Sequence, residues 1–319
     1  MRDGLISVIM SVYNEKEEWL RESMESILGQ TYGGIEFIVV LDNPQNDLLR
    51  QVILEYGKKD ERLVLVENPK NMGLVASLNK ALGYVQGEYV ARMDADDVSD
   101  RERLEKQMAC MKETGADFVM SAIDFIHEDG NVVRGISDEA FGSSQVAEIM
   151  KYGNIAHHPT WLLKKEVYDR LKGYRDIHYC EDMEFVLRAL QEGFRVVKSS
   201  DHAVKYRLRE GGVSKSFTME QAMKARYLRK RYRALEKIQE IPEAELNQPF
   251  SGYTDKQKQR FNRADRKLDC FCQDMAQGNW SRCAGAAFSG FLTNGYFRML
   301  FIEYFKSYCM RKRLAGQGL

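Results

Sequence analysis

Asp94, Ala95, Asp96 and Asp97 close an apolar run, Glu88-Tyr89-Val90-Ala91-Arg92-Met93, that opens at Gly87 and reads as a strand. Carboxylates spaced D-x-D at a strand end can be reached together by a divalent cation and a diphosphate. Hard oxygen ligands of this kind suit Mg²⁺ or Mn²⁺. Taken alone the triplet carries little weight, because acidic triplets are common on surfaces. A calcium loop starting at Asp94 would place Glu105 at its twelfth position. Its fifth position is then Val98, and Ser99 stands where the sharp turn requires glycine, so that reading fails.

The elements that must position these acids follow from periodicity. Ile6 to Glu15 is an apolar strand with a polar end. Trp19, Leu20, Met24, Ile27 and Leu28 then recur at helical spacing until Gly29 and the Tyr32-Gly33-Gly34 cluster break the pattern. A strand from Ile35 to Leu41 delivers Asp42 and Asn43; a further helix leads to the strand Leu63–Val66. Asn71 and Gly73 form the turn before a helix from about Leu74 to Tyr84, on which Asn79 faces the same side. The order β-α-β-α-β-α-β predicts an α/β fold, a mostly parallel sheet flanked by helices. Ligands of such sheets bind beyond the carboxyl ends of the strands, and Asn14, Asp42, Asn43 and Asp94 all fall there.

The ordered set Ser7-Val8-Ile9-Met10-Ser11-Val12-Tyr13-Asn14-Glu15, Ser26-Ile27-Leu28-Gly29-Gln30-Thr31, Val39-Val40-Leu41-Asp42-Asn43, Asn71-Met72-Gly73 with Leu78-Asn79, and Met93-Asp94-Ala95-Asp96-Asp97 resembles the family 2 glycosyltransferases. His158-Pro159-Thr160, Gly173-Tyr174 and Glu181-Asp182 followed by Leu187 and Arg188 are similar to that family's later elements, so the resemblance runs over roughly residues 5 to 215. It implies a GT-A fold and an inverting, metal-dependent enzyme that uses nucleotide sugars. Asp182 is then the general base and Asp96 the metal ligand. Val12, Tyr13, Asn14, Glu15, Asp42, Asn43, Asn71, Gly73, Asn79, Asp94 and Ala95 are expected around the nucleotide. His158, Glu181 and Arg207 are expected on the acceptor or donor-sugar side, Arg207 as a phosphate contact. The reaction needs these groups: the acceptor hydroxyl must lose a proton as it attacks, and the leaving diphosphate gains charge that a cation can stabilise. Asp182 falls in the first turn of its helix, where a carboxylate is favoured in its charged form.

The chain departs from the family pattern at three places. The second strand ends Asp42-Asn43-Pro44-Gln45 instead of Asp-Asp-Gly-Ser. Asn43 can still pair with an imide N–H, so a uracil or thymine carrier stays open, with UDP the expected one. Lys172 replaces the first glycine of the Gly-Gly-Tyr element, and Asp100-Arg101 replaces a Leu-Pro pair.

The composition suits a soluble enzyme: 319 residues, 44% hydrophobic and 29% charged, with 47 basic side chains against 47 acidic ones. No global charge argues for nucleic acid. The six cysteines show no zinc spacing and are expected as free thiols of a reducing compartment. No signal peptide or run of 18 apolar residues is found, so a cytoplasmic protein is expected. The expected layout is a catalytic domain over 1–215 (nucleotide half 1–98, acceptor half 99–215) and a helical extension over 216–319. From Lys205 to Glu240 eleven Lys/Arg face four Glu. Helices are expected over Met219–Gln239, Asp255–Ala276 and Phe291–Arg313. Gly211-Gly212 and Ser214-Lys215-Ser216 read as a closing loop, with His202 and Arg207 in the loop before it. The basic, aromatic final helix leaves alternatives open: the inner face of a membrane bearing a lipid-linked glycan acceptor, or packing on the catalytic domain or on a second copy. Two other function classes stay in view. A nucleotidyltransferase would carry a glycine-rich loop after the first strand, which Val12-Tyr13-Asn14-Glu15-Lys16 lacks. A catalytically inactive binding module would have lost Asp96 or Asp182.

Overall fold

The computed structural model describes residues 2–136, 139–209, 218–247 and 252–315. Strands β1 (Arg2–Val12), β2 (Ile35–Leu41), β3 (Leu63–Glu67) and β4 (Gly87–Asp94) lie in the order β3-β2-β1-β4, all parallel. Helices α1 (Glu17–Leu28), α2 (Asp47–Lys59) and α3 (Leu74–Leu82) connect them. Successive strand residues point to opposite faces, so a strand covered on both sides is apolar throughout. Ile9, Ile38 and Val40 pack with Leu78 and Ala81 of α3. Their neighbours Val8, Met10 and Val39 pack on the other face with Leu20, Met24 and Ile27 of α1 and Leu49, Val52 and Ile53 of α2.

Beyond β4 the sheet becomes mixed. β8 (Leu162–Lys164) pairs antiparallel with β4 and with β6 (Phe118–Ile126), β9 (Val196–Arg207) runs parallel to β6, and β5 (Val98–Ser99) closes that edge antiparallel to β9. β7 (Val132–Ile136) pairs with β6 outside this path. The length of β9 corrects the expected loop: pairing with β6 carries the strand through polar residues, so His202 and Arg207 are strand residues paired with Ala122 and Ile126. The expected closing loop at 211–216 lies outside the described residues.

Helices α4 (Arg103–Thr114), α5 (Ser143–Met150), α6 (Lys165–Leu171) and α7 (Glu181–Gln191) complete the sheet's cover. The C-terminal region is helical: α8 (Thr218–Arg233), the short α9 (Glu243–Asn247), α10 (Asp255–Ala276), α11 (Trp280–Thr293) and α12 (Gly295–Leu314). α8 stops short of the expected Gln239, and Leu235 has a left-handed backbone (φ 59°). The expected helix Phe291–Arg313 is two helices. Asn294 ends α11, and its side-chain oxygen accepts from the Tyr296 N–H (3.0 Å) to start α12. α10 begins at a reciprocal cap, in which the Gln257 N–H donates to Thr254 Oγ1 and the Thr254 N–H donates to Gln257 Oε1.

The basic end of α12 docks beside the sheet: Lys312 pairs with Glu139 (2.8 Å) and Gln145 of α5 donates to the Leu314 carbonyl (3.1 Å). Within the C-terminal helices, Glu303 of α12 receives Arg226 and Arg229 of α8. Trp280, Phe288 and Leu292 of α11 are exposed. No helix among the described residues is long and apolar enough to cross a membrane.

Candidate active site

The strand order reverses direction between β1 and β4, and their carboxyl ends open side by side. Here Asp94, Asp96 and Asp97 bring carboxylate oxygens within 4.8 Å of one another. Asp94 pairs with Arg92, which is 2% exposed. Asp97 is buried; one oxygen accepts the Arg207 N–H (2.8 Å), and the other has no hydrogen-bond partner among the described residues. Arg209 Nε lies 3.0 Å from Asp96, and Arg209 Nη1 lies 3.9 Å from Glu15. Burial, then the neighbouring acids, raise the pKa values of Asp96 and Asp97. Burial likewise raises that of Glu15, against its bond from the Tyr13 N–H (2.7 Å). Three crowded acids with a buried, orphaned oxygen are short of positive charge. The donor set, all carboxylate oxygen, fits a hard divalent cation.

The rim around this cluster is built from amides. Asp42 Oδ1 accepts from Asn68 Nδ2 (2.7 Å) and the Met72 N–H (2.8 Å), and its Oδ2 accepts from the Gly73 N–H (2.9 Å). That carboxylate fixes the 68–73 loop. Asn71 Oδ1 also accepts from Gly73, at 3.0 Å. Asn43 donates to Asn14 Oδ1 (2.7 Å), and Tyr13 is 42% exposed while Val12 and Ala95 are buried. Asn79 differs from expectation. Its amide donates to the Tyr174 carbonyl and accepts from the Tyr174 N–H (both 2.9 Å), which joins α3 to the turn before α7.

The second acidic centre is the start of α7. Asp182 accepts from the Met183 N–H (2.6 Å) and forms no ion pair among the described residues. Its pKa is raised, burial outweighing the Met183 bond, the Arg92 charge and an Asn154 hydrogen bond. The helix N-terminus therefore does not set the direction of the shift, because loss of water costs the charged form more. Glu181 is raised as well, by burial and by Asp182. Arg92 lies between the two centres electrically: it pairs with Asp94, and its charge works against the upward shifts of Asp97, Glu181 and Asp182. His158 sits in an aromatic cluster, 2.8 Å from the Tyr174 hydroxyl and packed on Trp161. Burial holds it neutral, well below its ordinary pKa.

Residues 7–172 match the sequence profile described as Glycosyl transferase family 2. The chain belongs to this family. It is 34% identical over 209 residues to an uncharacterized glycosyltransferase of Methanocaldococcus jannaschii, covering 65% of this chain and 72% of that protein. It is 30% identical over 214 residues to the O-antigen biosynthesis glycosyltransferase WbnJ of Escherichia coli, covering 66% and 83%. Among solved structures it is similar to S. aureus TarS 1-349 in complex with UDP-GlcNAc. The TM-score is 0.58 at 21% identity, covering 76% of this chain and 69% of that one. The fold is accordingly GT-A, and the chain is a glycosyltransferase.

Within this family 2 chain, Arg207 does not sit as expected. It is 3% exposed; Nε donates to the Asp96 carbonyl (2.8 Å), Nη1 donates to the Glu128 carbonyl (3.0 Å), and Nη2 pairs with Glu22. It braces the backbone of the acidic turn, and Arg209, two residues on, is the cation that meets Asp96. Sequence reading passed over Arg209 and Arg92. The available signals were a second arginine at i+2 and a charge inside the apolar run of β4.

Proposed function

We propose that the chain transfers a sugar, with inversion, from a nucleoside diphosphate sugar (UDP as carrier) to a hydroxyl of a glycan or lipid-linked acceptor in surface polysaccharide synthesis. The observation that carries this reading is the pair of acidic centres, Asp94/Asp96/Asp97 and Glu181/Asp182, both under the charge of the buried Arg92. The UDP-GlcNAc complex of TarS supports the donor class, and the name of the O-antigen relative supports the pathway class.

In this reading Asp182 accepts the proton of the attacking acceptor hydroxyl. A new C–O bond forms at the anomeric carbon as the bond to the diphosphate breaks, and its electron pair leaves with the nucleoside diphosphate. Asp182 holds the proton until solvent takes it. Glu181 orients the acceptor. Asp96, with Asp94 and Asp97, would hold Mn²⁺ or Mg²⁺, which supplies positive charge to the diphosphate. Arg209, 33% exposed and salt-bridged to Asp96, swings to the diphosphate oxygens. Asn14 and Asn43 meet the base, Asn43 offering an oxygen to an imide N–H. Asn71 and Gly73, held by Asp42, close the ribose side.

Calorimetric titration with UDP, GDP, dTDP and CDP, each with and without Mn²⁺, tests the donor side. Manganese-dependent binding of UDP is expected. Binding of none of the four sinks the reading, and a preference for GDP moves the base pocket away from Asn43.

A further inference from the structure

A cavity of about 320 Å³ lies between the start of α7 and the C-terminal helices, lined by Asn154, Tyr179, Asp182, Gln221, Phe261 and Asp265. We propose that it receives the uncharged terminal sugar ring of the acceptor, so that the C-terminal helices α8 and α10 form part of the acceptor site. The inference rests on the transferase reading above, because Asp182 is on the cavity wall.

The chemistry of the wall selects the ligand. Asp265, on α10, has no hydrogen-bond or ion-pair partner among the described residues. Burial and Asp269 push its pKa up to about 6. Gln221 on α8 donates its amide to the Tyr179 carbonyl (3.0 Å), which leaves its side-chain oxygen. Asn154 accepts the Ala156 N–H (2.9 Å) at Oδ1 and hydrogen-bonds to Asp182. The groups left over are mostly acceptors, which suits a ligand rich in donors, and a sugar ring brings several O–H groups. No Lys, Arg or His lines the cavity, and the Asp182 and Asp265 carboxylates on its wall disfavour a phosphate or lipid diphosphate. Tyr179 and Phe261 add apolar wall, which suits the C–H face of a sugar. The volume is at the low end of the roughly 300–1,000 Å³ of small-ligand sites, which suits one ring and not an extended chain.

The cavity is also held in place from the C-terminal side. Tyr179 has a left-handed backbone (φ 67°), a strained conformation that persists only where the surroundings impose it. Those surroundings are α8: Gln221 bonds the Tyr179 carbonyl, Lys224 donates to the His178 carbonyl (2.7 Å), and Cys180 Sγ donates to the Gln221 carbonyl (3.5 Å). The same helix that walls the cavity thus fixes the turn that leads into Asp182.

Saturation-transfer NMR on the full chain, with UDP and Mn²⁺ present, would probe a panel of methyl glycosides of glucose, galactose, N-acetylglucosamine and rhamnose. At least one should bind. Asp265→Ala should weaken it about 10- to 100-fold, the effect of removing a hydrogen bond to a charged group. Ala222→Phe, which fills the cavity from α8, should abolish it, with UDP affinity unchanged in both variants. If Asp265→Ala loses UDP binding through misfolding, Asp265→Leu replaces it, and if Ala222→Phe does, Ala222→Leu replaces it. The proposal is overturned if no glycoside binds, or if binding survives the substitutions. Failure of UDP to bind the unaltered chain counts against the donor reading; UDP binding without any glycoside counts against the cavity alone.

Discussion

Asp182 and Glu184 stand two residues apart on α7, yet they belong to different regions. Glu184 is fully buried and held by two cations, Arg188 Nε at 2.9 Å and Arg175 Nη1 at 3.1 Å. Those arginines continue the network: Arg188 donates to the Leu171 and Gly173 carbonyls (2.7 and 3.1 Å), and Arg175 donates to the Ile238 carbonyl (3.0 Å). The C-terminal region is tied to α7 through this joint. Asp182 faces the cavity and forms no ion pair among the described residues; its charge is answered by hydrogen bonds and by the more distant Arg92. A structure that satisfies one carboxylate so fully, and leaves its neighbour desolvated without a paired cation, separates a part built for stability from a part built for chemistry.

The largest expected effect tests the Asp182 side. Asp182→Asn should lower sugar transfer by about 10²–10⁴-fold, the usual contribution of a general base, while Mn²⁺-dependent UDP binding survives. Asp96→Ala should give the opposite pattern, with loss of the manganese-dependent part of nucleotide binding. Full turnover in the first, or unchanged manganese dependence in the second, removes that role. The fold should tolerate Asp182→Asn. A carboxyl whose folded pKa is raised favours the neutral form, so its ionisation costs stability at neutral pH, and an uncharged amide leaves Tm equal or higher. The same shift fixes the sign of the pH profile. The base must be ionised, so activity should fall on acidification at a pH above the ~3.9 of an ordinary aspartate.

Next comes the Glu184 side. Glu184→Ala leaves Arg188 and Arg175 buried without their counter-charge, and breaking such a pair costs about 3–5 kcal/mol. Denaturant unfolding should show this loss. A Glu184→Ala protein as stable as its parent would break the comparison, since the two carboxylates would then differ only in position.

How far each region could be read from the chain follows the same division. The donor edge was legible because a strand covered on both faces is continuously apolar and its end is where polarity begins; Glu15, Asp42 and Asp94 announce themselves locally. Arg207 was expected as a phosphate contact in a loop; the pairing of β9 with β6, which no local pattern shows, buries it beneath the acidic turn. Asn79 misled for a similar reason, since its partner, Tyr174, is 95 residues away. The break at Asn294 was hidden by apolar residues that continue on both sides of it. The cavity wall was beyond reach: Gln221 and Asp265 share a wall with Asp182 through helix packing, which no local period encodes.

The smallest effect concerns the turn that carries Arg188's carbonyl partners. Lys172 ends α6 with φ 58° and Gly173 follows with φ 72°, two left-handed residues in succession. Gly173 has a further constraint, since a Cβ there would stand 2.5 Å from Asn79 Oδ1, the atom that accepts from Tyr174. Lys172 is exposed and meets no such neighbour. A non-glycine residue in this conformation costs roughly 1–2 kcal/mol, while glycine adds roughly 0.5–1 kcal/mol of chain entropy to the unfolded state. Lys172→Gly should therefore stabilise the protein by about 0.5–1 kcal/mol, read as a small rise in Tm with transfer unchanged. Gly173→Ala should do the reverse, because the added methyl strikes the amide that joins α3 to this turn. If both substitutions shifted Tm in the same direction, backbone strain would not be what distinguishes these two positions, and the tolerance of lysine here would have to come from the α6 end itself.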